Sequence, residues 1–299
     1  MFLLEIDLPA RVLTLLFLIT AMLSVGLQTT TGDLHSLLRS KGLLLRSLIA
    51  NFVAVPITGI VLVMTLPLKP EAADAILLLA CTPGGISALQ FTTKIKDASL
   101  FAASNAFLLS FVAVFLSPVL LKIVLPGNIS VDIPYGRASL FAVVFLLLPL
   151  VAGTLVRSRW EHMAKKLSKL CSILSAVIFV IVLILIMDRR KEAMKSVGIT
   201  SLLCMLLFII ISMAVGWFMG GPARETRPVL ATVTGMRHVA LSVLIAMNAF
   251  PNPAVHACLW AFSALMVPPS MLLTVYMVIE SKKLVRQSQN HNVQRELTS

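Results

Sequence analysis

Residues 232–238 read Thr-Val-Thr-Gly-Met-Arg-His and residues 82–87 read Thr-Pro-Gly-Gly-Ile-Ser, each set inside a long apolar run. Both combine helix breakers with hydrogen-bonding groups. Pro83 lacks an amide donor, Gly84 and Gly85 permit backbone conformations closed to other residues, and Thr82 and Ser87 can satisfy groups that a broken helix frees. Around Gly235, Thr232 and Thr234 offer hydroxyls, while Arg237 and His238 are ionisable. The chemistry open to such sets is binding. A nucleophile with a base and an orienting carboxylate cannot be assembled here, because His238 has no Asp or Glu nearby in sequence and His35, His162, His256 and His291 fall near span ends or in loops. An enzyme is therefore not expected.

The elements that position these residues must be membrane helices. The chain has 299 residues, 58% of them hydrophobic and 13% charged, with a mean hydropathy of +0.96. Soluble domains run near half apolar and a quarter charged. Runs of about 20 apolar residues predict nine helices, near residues 11–28, 43–66, 73–94, 98–125, 136–156, 170–187, 199–220, 227–250 and 253–279. A closed barrel would need short alternating segments, and these runs are continuously apolar. The expectation is one all-α polytopic domain over 1–280 with a polar cytoplasmic tail at 281–299, its first run read as a retained span.

Lys and Arg concentrate in the odd-numbered loops and the C-terminus, sixteen against eight on the other side, with Arg237 apart from both groups. This places the N-terminus outside and the C-terminus in the cytoplasm of a multi-pass cell-membrane protein. The net charge of +12 is then a topogenic and lipid-facing signal, with no nucleic-acid partner expected. Cys81, Cys171, Cys204 and Cys258 fall within spans without paired spacing, so neither a disulfide framework nor a metal site is indicated.

The two breaks are related. Gly84 precedes Pro118 by 34 residues and Gly235 precedes Pro269 by 34, so each broken span is followed by a proline-bearing span in the same register. On the nine-span count the third span enters from outside and the eighth from inside. Such an inverted repeat with matched interrupted helices points to a secondary transporter binding its substrate near the bilayer midplane.

The stretches "CTPGGISALQFTTKIKDASL" and "TGMRHVALSVLIA", together with the order of spans, resemble the bile acid:sodium symporter family over about residues 12–279. The resemblance implies a panel domain of the first, fifth and sixth spans (about 11–28 and 136–187) and a core of the others (about 43–125 and 199–279). The third and eighth spans would cross at their unwound centres. It also exposes departures. Sodium-coupled members carry a glutamate two residues before the eighth-span glycine and a glutamine two residues after it, where this chain has Val233 and Arg237. The Ser-Asn pair after Gly-Gly is replaced around Ser87, Ala88 and Leu89, and Phe101 stands at a serine position. Asn105 falls against another sodium-site position. The sodium sites are expected not to be intact.

Physics alone leads the same way. A bare sodium ion at midplane needs hard oxygen ligands, preferably with a carboxylate, and every Asp and Glu lies near a span end or in a loop. Arg237 lies roughly 15 Å into the eighth span, near the centre of a ~30 Å core. Three readings stand open. The guanidinium replaces sodium at the carbonyl ends of the broken helices, pairs directly with an anionic substrate, or braces unwound backbone. His238 is either a proton carrier or a neutral hydrogen-bond partner.

Thr82, Ser87, Gln90, Asn105, Thr232, Thr234, Arg237 and His238 are the polar residues expected at the crossing, with Pro83, Gly84, Gly85 and Gly235 shaping it. The function expected is alternating-access transport of a small organic anion, with no resident cofactor and without sodium coupling. A sodium-dependent organic anion symporter and a transporter-like receptor without turnover are the alternatives. Substrate identity, a proton requirement and oligomeric state are left open by the sequence.

Overall fold

The computed structural model describes residues 8–84, 88, 96–124, 140–189, 191–223, 226–250 and 252–280. Gly85, Ser87, Gln90 and the tail at 281–299 lie outside the described residues. Among those described, all named elements are helices: α1 (Leu8–Gln28), α2 (Thr31–Arg39), α3 (Lys41–Thr65), α4 (Pro70–Cys81), α5 (Lys96–Val124) and α6 (Leu140–Arg159). They continue as α7 (Glu161–Arg189), α8 (Lys191–Met219, kinked at Gly198), α9 (Thr226–Gly235), α10 (Val239–Ala249) and α11 (Pro253–Glu280).

Among the described residues, five helical stretches are long and apolar enough to cross a membrane by length and composition: Lys41–Thr65, Phe101–Val124, Leu140–Arg159, Val197–Met219 and Pro253–Glu280. Val12–Gln28 is a shorter apolar helix. Their large side chains face outward, as at Met64, Leu272 and Phe218, which water would penalise and lipid tails accept. All four cysteines are buried and carry free thiols.

Two differences from the apolar-run reading have physical causes. The loop after the first run contains α2, whose polar and apolar residues sort onto opposite faces instead of forming one apolar stretch. Helix α7 begins nine residues ahead of its apolar run, because helix formation continues through the polar segment from Glu161.

Proline accounts for a second local feature. Helices α3 and α6 each contain a five-residue π-turn, Ala50–Ala54 and Val143–Leu147, and a proline follows two residues later, Pro56 and Pro149. A proline ring clashes with the carbonyl four residues earlier and offers it no donor. The extra residue of a π-turn widens the helix there and relieves the clash without breaking the span.

Helix α1 packs chiefly on α6 and α7, whereas α8 packs on α9 and α11, and α4 on α3 and α11. The α1–α6 contact is backbone on backbone. A Cβ at Gly153 would lie 2.6 Å from the Leu23 carbonyl oxygen and 2.9 Å from Gly26 Cα. Gly153→Leu is therefore expected to pry α1 from α6 at a cost of about 3 kcal/mol. Size-exclusion chromatography of the detergent-solubilised variant would show a reduced monodisperse fraction, and an unchanged profile would refute the contact.

Candidate functional site at the crossed helix breaks

Helix α4 ends at Cys81 because the chain turns extended at Thr82 and meets Pro83, which cannot continue the amide ladder. Helix α9 ends at Gly235, and α10 begins at Val239 with His238 as its N-cap, His238 Nδ1 accepting from the Leu241 amide at 3.1 Å. The two breaks meet. Gly84 and Arg237 form an isolated antiparallel bridge, and the His238 amide donates to the Pro83 carbonyl at 3.0 Å. This approach explains Gly84, since any Cβ there would overlap the Val233 carbonyl oxygen.

Arg237 fills the space between the breaks and is 0% exposed. A guanidinium has five N–H donors, and all five are engaged. Nε donates to the Leu79 carbonyl at 3.0 Å. Nη1 donates to Asn51 Oδ1 at 3.0 Å and to the Thr234 carbonyl at 3.4 Å, and Nη2 to the Ala80 carbonyl at 2.9 Å and the Asn51 carbonyl at 3.5 Å. Leu79 and Ala80 belong to the last turn of α4 and Thr234 to that of α9, where carbonyls lack helical partners and the dipoles end negative. The charge thus rests on the negative ends of two half-helices. Among the described residues it has no carboxylate partner, both salt bridges being those of exposed Glu161 with Arg157 and Lys165.

Asn51, in the π-turn of α3, was absent from the polar set expected at the crossing, yet it ties both breaks together. Its Oδ1 accepts from the Gly84 amide at 2.8 Å and from Arg237, while Nδ2 donates to the Ser47 carbonyl at 3.0 Å and to Thr234 Oγ1 at 3.3 Å. A signal was present, since Asn51 is the one amide side chain in the run 43–66. Ser242 was also missed. Its hydroxyl lies 2.7 Å from Thr82 Oγ1, linking the end of α4 to α10.

Of the expected polar residues, Thr82, Thr234, Arg237 and His238 come together here. Thr232 is buried but turns its hydroxyl back to the Pro228 carbonyl of its own helix. Asn105 stands one step away, its Oδ1 accepting from Ser47 Oγ at 2.7 Å. His238 keeps one group unused. It is 3% exposed, and its Nε2 has no hydrogen-bond partner.

The family model for the sodium bile acid symporter family matches residues 15–219, which includes the first break and stops short of the second. A probable sodium/metabolite cotransporter, chloroplastic, of Oryza sativa subsp. japonica is 23% identical over 237 residues, 78% of this chain and 56% of that protein. A sodium-dependent organic anion transporter of Bos taurus is 25% identical over 218 residues, 72% of this chain and 57% of its own length. The human hepatic sodium/bile acid cotransporter is 28% identical over 158 residues, covering 51% of this chain and 45% of that protein. The chain spans a little over half the length of the first two relatives. With more than half of its residues matched by the family model, the chain belongs to the sodium bile acid symporter family.

Proposed function

We propose that the protein is a secondary transporter that moves a small organic anion by alternating access and takes no sodium. The observation that carries this reading is the fully committed guanidinium of Arg237, which presents a fixed positive charge to the carbonyl ends of α4 and α9. A bound cation would serve those same carbonyls, and a tethered one needs no ion from solution.

Arg237 attracts an anion through its field, because its donors are all occupied. Direct recognition falls to His238. With Nδ1 accepting from the Leu241 amide, the neutral ring carries its proton on Nε2, and that N–H is free for a substrate oxygen beside the positive N-terminus of α10. A structural His238 of this kind carries no coupling proton. Alternating access moves the core helices, α3 to α5 with α8 to α11, against a panel of α1, α6 and α7. The packing of α1 on α6 and α7 supports that division. In the membrane the chain has nine spans in an inverted repeat, its N-terminus outside and its C-terminus cytoplasmic. The matched spacing of Gly84 to Pro118 and Gly235 to Pro269 and the distribution of basic residues favour this arrangement.

A sodium-dependent symporter is the second reading, favoured by the sodium-dependent transport named for the relatives. Uptake of a mixed organic-anion library into proteoliposomes separates the two. Equal uptake in sodium, potassium and choline is expected. Uptake that requires sodium overturns sodium independence, and no uptake in any medium or direction overturns transport itself.

A further inference from the structure

Away from the crossing, α8, α9 and α11 enclose an apolar groove of about 760 Å³, with Ile210, Met213, Trp217, Ala231, Pro269 and Tyr276 among its walls. Prolines mark its α11 wall. Pro268 and Pro269 line the groove and remove two amide donors from α11 just after the helix is interrupted at Met266. We infer that this groove is a binding site for one anionic phospholipid, an acyl chain lying in the groove and the phosphate on Arg227.

Length, polarity and charge commit the site to that occupant. The α8 wall runs from Leu206 to Trp217 and the α11 wall from Leu265 to Tyr276. Each is roughly 16 Å long at 1.5 Å per residue, about one leaflet of a ~30 Å hydrocarbon core. Trp217 and Tyr276 pair at one end of the groove with ring centroids 5.8 Å apart, the aromatic signature of a membrane–water boundary. Both lie near the ends of their helices, Met219 and Glu280.

Arg227 stands at that same end, one helical turn before Ala231 on α9. Its side chain is exposed, and its Nε donates to the Gly221 carbonyl at 2.8 Å. The guanidinium is thereby held by one edge, and among the described residues it enters no ion pair. Arg46, also exposed, packs on the same loop, its Nη1 lying 3.2 Å from the place of a Cβ on Gly221. An edge-held guanidinium at the end of an apolar slot of leaflet depth, with exposed Arg46 beside the same loop, matches a phosphate joined to an acyl chain. The groove also reaches the site. Met213 forms part of its wall and fills the space over Gly235, where any Cβ would overlap the Met213 side chain. A chain in the groove therefore buttresses the residue that seals the second break.

Native mass spectrometry of the full chain in detergent, with dioleoylphosphatidylglycerol and dioleoylphosphatidylcholine added in turn, tests the site. The wild type is expected to retain one phosphatidylglycerol with about fivefold preference, the weight of one basic residue at a lipid surface. Arg227→Gln lowers the preference, and Ile210→Trp, which blocks the groove from an exposed position, lowers retention of both lipids. Equal retention of the two lipids by the wild type, or unchanged retention by both variants, overturns the proposal. A second copy of the chain in place of lipid, seen as a dimer that Ile210→Trp disrupts, also overturns it.

Discussion

Arg237→Met is expected to lower stability by about 3–5 kcal/mol, because it leaves buried acceptors without donors at the ends of two half-helices. The Leu79 carbonyl keeps Thr82 as a donor and Asn51 Oδ1 keeps the Gly84 amide. The Ala80 carbonyl has no such substitute in the hydrogen-bond network described above, and burial denies it water. Arg237→Lys should fall in between, since an ammonium restores the charge but has three donors where the planar fork has five. Thermal unfolding in detergent reads the series, with a fall of roughly 5–8 °C for the methionine variant by the usual scaling of unfolding entropy with chain length. A methionine variant melting within a degree of the wild type would show that the acceptors find other partners and that Arg237 does not secure the crossing.

The same position carries a functional consequence. If the guanidinium occupies the place of a cation, then Val233→Glu with Arg237→Gln, which introduces the residue types that the resemblance leads one to expect of sodium-coupled members, reopens that place. Sodium should then raise the melting temperature of the double variant and leave the wild type unmoved. Sodium stabilisation of the wild type would count against a tethered replacement.

Much of this architecture was legible in the sequence, and the exceptions are instructive. Apolar runs placed most long helices within a few residues because lipid exposure leaves little choice of side chain, and exposed Leu272 and Phe218 meet that demand. The Thr-Pro-Gly-Gly and Thr-Gly-Met-Arg-His breaks were visible because proline, glycine and a central arginine each conflict with a lipid-facing helix. Asn51 escaped notice for a different reason. One amide in a long apolar run marks a polar need without naming its partners, and its importance arises from long-range contacts at Gly84 and Arg237, which no local pattern encodes. The orientation of Thr232 is equally tertiary, decided by which carbonyl its hydroxyl reaches.

Asn51 yields the prediction that separates architecture from charge. Asn51→Leu removes two acceptor contacts and two donor contacts at once, stranding the buried Gly84 amide and one Arg237 N–H. A loss of about 2–4 kcal/mol is expected, with uptake falling alongside the folded fraction. Asn51→Asp keeps an oxygen for both of those donors and gives up Nδ2, so it should fold better than the leucine variant. Its carboxylate neutralises Arg237, however, and the field that attracts an organic anion collapses. The aspartate variant is therefore expected to melt well above the leucine variant while anion uptake drops at least about tenfold, equivalent to ~1.4 kcal/mol of lost attraction. Wild-type uptake by a folded Asn51→Asp protein would mean that the positive charge at the crossing serves the fold alone. Loss of uptake with the fold retained would assign the charge to the anion, and Asn51 would then be neutral because a carboxylate would cancel what Arg237 supplies.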